Sequence, residues 1–435
     1  MQKLIRQTLF LSVCHFIVRV IGFAMRIWLS RELGTLAMGL VELAQSAQML
    51  LITPIVSGLP SAISRMCAKE DEDGRRKVLR LGVALALAVS VPLMLLAFLA
   101  RGPLALWLGD IRTLPALLVY LPCLPVLGIS CALNGYFYGI GKPIAPALSE
   151  LLEQVIRFFL SVQLVSLLGD WPVMLRSAIP AGAALAGETA GLVIMLLLSL
   201  RALFGRTTSS AAHRYKNLLG ELLSLSLPLT GMRLVSSLMR TVSSTLLPRR
   251  LAASGLAAQE ALSQLGVMQG MMMPILLLPS FVTCSLSSVA APELARRQAQ
   301  GKPLGRLAYR SLSAALLIGL AAMAGVWLFA PLIANTLYRQ AELLPMLRRS
   351  CFLVPVMAMT HVTGGLLSGL GLQGSALRIS LSANLVCVLL TYLLPALPAL
   401  RIYGAIAALA SGQFATLFLN LRALHREISR GYTSR

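Results

Sequence analysis

The sequence predicts an all-α polytopic membrane protein of about twelve transmembrane helices, in two parallel six-helix lobes around a central cavity. Three observations predict it. The 435 residues are 57% hydrophobic and 12% charged, with a mean hydropathy of +0.80, whereas a soluble domain carries about 25% charged residues. Apolar stretches long enough to cross a bilayer, about 20 residues each, recur from end to end. Basic residues collect in alternate connections between them.

Polar and Gly/Pro punctuation divides the chain into segments 4 to 30, 36 to 66, 78 to 100, 113 to 138, 144 to 168, 177 to 203, 218 to 247, 259 to 290, 307 to 335, 345 to 370, 375 to 398 and 402 to 424. Backbone groups in hydrocarbon must be satisfied within the segment, and these runs are too long and too uniformly apolar for barrel strands, so each is expected to be helical. The first segment is too long for a cleaved signal peptide and contains Arg19 and Arg26, so it is expected to remain as helix one. Arg75, Arg76, Lys77, Arg296, Arg297 and the tail from Arg422 onward fall on one side. The positive-inside bias then places both termini of a multi-pass membrane protein in the cytoplasm.

The formal charge of +22 is spread over short loops rather than a solvated basic surface, which argues against nucleic acid. Seven cysteines lie in or beside apolar segments without metal-ligand spacing and read as packing residues. No P-loop, HExxH or nucleophile-elbow signature is present, and His15 and His361 stand alone in their segments. The expectation is a non-enzyme with no catalytic residue, cofactor or metal.

The polar stretch 204 to 217 divides the chain into lobes 1 to 203 and 218 to 435. Weak matches recur across it in order. Arg19 and Arg26 share their spacing with Arg233 and Arg240; TPIVSGLPS (53 to 61) resembles MPILLLPS (273 to 280); LNGYFYGIGKP (133 to 143) resembles LSGLGLQGS (367 to 375), pairing Gly135 with Gly369. Six helices per lobe is an even number, so the repeat is parallel. That arrangement is typical of alternating-access transporters, with substrate at the repeat interface.

The arginines inside the segments carry the most information. Two arginines seven residues apart project from nearly one helix face, and each costs roughly 2.5 to 3.5 kcal/mol at the bilayer centre. They are expected to face a watery cavity; snorkelling to an interface is the rival reading, strongest for Arg26 and Arg240. Between helices one and seven the expected deep acid is Glu221 alone, near the start of helix seven. Surplus positive charge suits an anionic substrate, and guanidinium forks match phosphate oxygens. A second cluster, Glu150, Glu153, Gln154 and Arg157, contains a favourable i,i+4 pair. With Glu188 it forms a possible ion or packing site. Pro54, Gly58, Pro60, Pro122, Pro125, Gly128, Pro274, Pro279, Pro355, Gly364, Gly365 and Gly369 predict bends at matched places in the two halves.

VRVIGFAMRIWLSRELGTLAMGL (18 to 40), SGLPSAISRMCAKE (57 to 70), PALSELLEQVIRFF (146 to 159) and LPSFVTCSLSSVAAPELARRQAQG (278 to 301) resemble the bacterial polysaccharide-export and stage V sporulation protein B family. That family falls in the multidrug, oligosaccharidyl-lipid and polysaccharide exporter superfamily, which also holds lipid II flippases. The resemblance implies two six-helix bundles forming a V, and a substrate that is an undecaprenyl-pyrophosphate-linked saccharide. It implies that Arg19, Arg26, Arg233 and Arg240 line the cavity; as polar residues, Gln45, Gln48 and Asn134 are expected to contact sugar. Implied partners are the lipid-linked saccharide, membrane lipid and envelope-synthesis enzymes. Many members have fourteen helices, and this sequence shows twelve segments, which leaves the lipid-tail path open. Two alternatives stand beside the flippase: a cation-coupled multidrug exporter of the same fold, which predicts deep acids, and a membrane scaffold for envelope-synthesis enzymes.

Overall fold

The computed structural model describes residues 2–204 and 212–433, and among them helices are joined by short turns with no strand. The principal helices are α1 (Gln2–Val56), α2 (Leu59–Lys69), α3 (Glu72–Leu99), α4 (Cys123–Gly139), α5 (Ile144–Leu168), α6 (Ile179–Phe204), α7 (Ala212–Ala253), α8 (Ser280–Ala299), α9 (Gly305–Pro331), α10 (Leu353–Gly369), α11 (Gln373–Leu393) and α12 (Ile402–Thr433). By length and composition, eight of the described helices can cross a membrane, or eleven when three bent pairs are each one span. One of these, Val13–Lys69, has 57 residues, about 86 Å of straight helix against a hydrocarbon core of about 30 Å. It cannot be one crossing. Its backbone leaves the helical region at Gly34 (φ 79, ψ 172), and dividing it there recovers the twelve segments read from the sequence.

Gly34 is a place where glycine is required, because that φ and ψ lie in a region essentially closed to residues with a Cβ. The chain reverses there. Arg26 and Glu42, the same number of residues before and after Gly34, form an ion pair, although on a straight helix they would stand about 24 Å apart.

The bends expected from proline and glycine appear as breaks: 43° before α4, 48° before α8 and 55° before α10. Pro122 and Pro279 each cap the helix that follows the break. At the start of α3, Asp71 accepts a hydrogen bond from the Gly74 amide at 2.8 Å, satisfying one of the free N–H groups of the first turn. One turn on, Lys77 is buried with its Nζ 2.8 Å from Asp73, the pairing that a buried ammonium requires.

The described chain separates into two compact units, Met1–Thr241 and Val242–Arg435. The division falls inside α7, not at the polar stretch 204 to 217, of which residues 205–211 lie outside the described residues. The reason is packing. Leu218 and Leu222 of α7 join a core with Leu59, Ala62, Ile63 and Met66 of α2, and a Cβ on Gly58 would stand 2.2 Å from the Ser226 carbonyl oxygen. The Thr241 hydroxyl donates to the Ser46 carbonyl at 2.9 Å. Most of α7 is therefore built into the first unit.

Each unit repeats one close helix contact. In the first, Gly135 and Gly139 of α4 lie against Pro60 and Ser64 of α2; in the second, Gly365 and Gly369 of α10 lie against Ser287 and Ala291 of α8. Both glycine helices then end alike, with Gly141 and Gly371 left-handed (φ 70 and 76). The next amides, Lys142 and Leu372, donate back to Phe137 and Leu367 at 2.9 Å. This is the helix-ending motif that glycine favours. It supports duplication and corrects the register: Gly139, not Gly135, is the counterpart of Gly369. The sequence pairing followed the leading leucine of each segment, whereas the left-handed cap fixes the true alignment.

Candidate functional site

Helices α5 and α6 approach closely because small residues face the contact. A Cβ on Gly187 would lie 2.8 Å from the Glu153 carbonyl oxygen, and one on Gly191 would lie 2.9 Å from Ser149 Oγ. The Ser149 hydroxyl donates to the Gly191 carbonyl at 3.0 Å. This approach sets Glu188 of α6 opposite Glu153 and Arg157 of α5. Arg157 Nη2 pairs with Glu153 and stands 3.3 Å from Glu188 Oε1, so two carboxylates share one guanidinium.

Two cavities meet at this cluster. The first, about 290 Å³, is lined by Arg26, Glu42, Gln45, Gln48, Arg157 and Glu188 among apolar groups such as Met25, Met38 and Leu127. The second, about 250 Å³, is lined by Ser130, Asn134, Ser149, Glu150, Glu153 and Glu188. Glu188 and Leu127 belong to both walls. The Gln48 side-chain amide donates to the Ala116 carbonyl at 3.3 Å, which fixes one face of the first cavity. At the edge of the second, His15 Nδ1 lies 3.2 Å from Glu150 Oε2. His15 therefore faces an acid in space, although it had none in its own segment.

The residues singled out in the sequence thus fall into two groups. Arg26, Gln45, Gln48, Arg157 and Glu188 line the first cavity, and Asn134, Glu153 and Glu188 the second. Arg19, Arg233 and Arg240 line neither and are exposed. Arg233 and Arg240 make no ion pair among the described residues. On α7 they share a face by their spacing.

The expectation that Glu221 is the one deep acid between helices one and seven fails. Glu42 is 8% exposed and neutralises Arg26, so Arg26 is not surplus charge. Glu221 instead stands 3.6 Å from Lys69 Nζ. Glu42 was legible as a lone acid in the apolar run GLVELAQ; what hid its role was the turn at Gly34, which brings it back beside Arg26. Among the described residues no group of three or more His, Cys, Asp or Glu side chains could hold a metal ion.

The model of a family described as polysaccharide biosynthesis protein matches residues 4–298. Stage V sporulation protein B of Bacillus subtilis (strain 168) is 28% identical over 437 residues, spanning 96% of this chain and 83% of that protein. Lipid II flippase MurJ of the same strain is 22% identical over 467 residues, spanning 99% and 84%. Among solved structures, an inward-facing multidrug resistance MATE family transporter of the MOP superfamily superposes with a TM-score of 0.78 at 17% identity, covering 96% of both chains. That likeness establishes the fold, an all-helical multi-span architecture.

Proposed function

The chain belongs to the polysaccharide biosynthesis protein family, and we propose that it is a flippase for an anionic lipid-linked saccharide, an undecaprenyl-pyrophosphate-linked oligosaccharide or a peptidoglycan precursor. The observation that carries this reading is the pair Arg233 and Arg240, exposed on α7 and without an ion pair among the described residues. Two guanidinium groups held out from one helix face suit the two phosphates of a pyrophosphate. The similarity to a protein named lipid II flippase supports the same substrate class. In this reading Arg19 contributes from helix one, and Arg26 is held by Glu42 as part of the framework. Gln45, Gln48 and Asn134 offer hydrogen bonds to sugar hydroxyls. Movement is by alternating access of the two lobes, with both termini cytoplasmic in a bacterial inner membrane.

Charge reversal tests it. Arg233→Glu and Arg19→Glu are expected to abolish complementation of a flippase-deficient strain while the protein still reaches the membrane; full complementation by both variants would end the proposal. Retention of a pyrophosphate-linked saccharide lipid in native mass spectrometry, weakened by the same changes, separates a flippase from a scaffold for envelope-synthesis enzymes.

A second reading, a cation-coupled multidrug exporter, is favoured by one feature. Glu42, Glu153 and Glu188 are acids inside the first unit, the kind of group such a transporter needs, and Glu153 and Glu188 share one arginine. Drug resistance on overexpression, lost in Glu188→Gln, would support it over the flippase.

A further inference from the structure

At one end of the second unit the helices turn over at three connections: between α7 and the helix Ala258–Leu265, between α9 and the helix Leu343–Ser350, and between α11 and α12. These connections and the adjoining turns carry six arginines, Arg249, Arg250, Arg339, Arg348, Arg349 and Arg401, against two acids, Glu260 and Glu342. Neither acid is in an ion pair among the described residues, nor are Arg250, Arg339, Arg348, Arg349 or Arg401. The guanidinium groups are instead placed by aromatic rings. Arg250 lies 4.1 Å from the ring centre of Tyr392 and donates to the Tyr392 carbonyl at 2.7 Å. Arg349 lies 4.3 Å from that of Tyr403, and Arg348 lies 5.7 Å from that of Trp327. A cation over an aromatic face is held in position while its N–H edge stays open to an anion.

Backbone strain falls at the same place. Among the described residues two that are not glycine have left-handed φ, Arg339 (φ 54) and Arg401 (φ 46). Both are arginines of this end, and such conformations gather at ligand clamps. An apolar collar stands at the adjoining ends of α9 and α11: Trp327, Leu328, Phe329, Leu332 and Leu393 are each more than half exposed. Tryptophan and tyrosine at helix ends mark the depth of lipid headgroups.

We propose that this end of the second unit is a binding surface for anionic phospholipid, the stacked guanidinium groups taking headgroup phosphates and the collar meeting the acyl chains. The collar selects a lipid over a soluble anion, because a free phosphate would leave those side chains without a partner. The surplus of unpaired cations selects an anionic headgroup over a zwitterionic one, whose own cation would face like charge.

The test uses the full chain in micelles holding equal amounts of phosphatidylglycerol and phosphatidylcholine, with retained lipid counted by native mass spectrometry. Wild type is expected to retain phosphatidylglycerol preferentially. An Arg348→Gln, Arg349→Gln, Arg401→Gln triple variant is expected to lose that preference at least tenfold, given roughly fivefold per guanidinium near an anionic surface. A control at the opposite end of the unit, Arg297→Gln, whose guanidinium is already paired with Glu293 at 2.9 Å, is expected to change it less than twofold. If the triple variant does not fold, Arg348→Gln and Arg349→Gln are read singly, each expected to cost roughly fivefold. An unchanged preference in the triple or in both single variants, an equal loss in the control, or complete displacement of phosphatidylglycerol by inorganic pyrophosphate would overturn the proposal. The last result would mark a soluble-anion site instead.

Discussion

Arg26 and Glu42 face each other across a reversal of the chain, one guanidinium against one carboxylate, with side chains 26% and 10% exposed. The pair closes the first cavity from the α1 side. A buried pair that loses one partner leaves an uncompensated charge, which costs about 3 to 5 kcal/mol when fully buried. Partial exposure of Arg26 lowers that to roughly 2 to 3 kcal/mol here. Glu42→Ala is therefore expected to lower the midpoint of thermal unfolding in detergent, measured by fluorescence-detected size exclusion. Arg26→Met combined with Glu42→Leu is expected to recover most of the loss. A double variant no more stable than Glu42→Ala would show that the pair is not what stabilises this wall.

Gly34 makes that pairing possible through backbone conformation alone, since a Cβ there would meet nothing within 4 Å. Gly34→Ala tests conformation without steric clash, and the φ and ψ it must adopt cost roughly 1 to 3 kcal/mol. The expected result is reduced stability together with a weaker effect of Glu42→Ala when the two are combined, because both changes act on one reversal. Strict additivity would separate the turn from the ion pair.

The approach of α5 to α6 rests on Gly187 and Gly191. Gly187→Ala puts a methyl group 2.8 Å from the Glu153 carbonyl oxygen, a backbone atom that cannot turn aside. Overpacking of this kind costs about 1 to 3 kcal/mol. Gly220→Ala on α7, where a Cβ meets nothing within 4 Å, is expected to be neutral or slightly stabilising through helix propensity. Equal unfolding midpoints for the two variants would count against close packing as the role of Gly187.

Arg157 serves two carboxylates, so the consequences of removing it and of removing one of its partners differ. Arg157→Met leaves Glu153 and Glu188 together without their shared cation, whereas Glu188→Gln leaves the pair Arg157 and Glu153 intact. The first variant is expected to lose roughly 2 kcal/mol more stability than the second. Adding Glu188→Gln to Arg157→Met is expected to restore part of it. Comparable unfolding midpoints for Arg157→Met and Glu188→Gln would show that the second carboxylate draws nothing from the arginine.

Hydrophobic run length settled the class of this protein, because a segment that spans hydrocarbon must satisfy its own backbone and has helix as its form. The same runs gave twelve segments, and the residues from VRVIGFAMR to LARRQAQG carried the family. The i,i+4 pair Glu153 and Arg157 was legible too, since helical geometry is local. What lay beyond the sequence was everything set by which helix stands beside which. Glu42 became the partner of Arg26 through the reversal at Gly34, and Glu188 joined Arg157 through the glycines of α6. Leu218 and Leu222 tied α7 to the first unit, and the true register of the repeat emerged from the caps at Gly141 and Gly371. Apolar periodicity specifies that a face is covered, but the neighbour that covers it is chosen by side-chain volume and charge summed over contacts distant in the chain, and only the folded structure performs that sum.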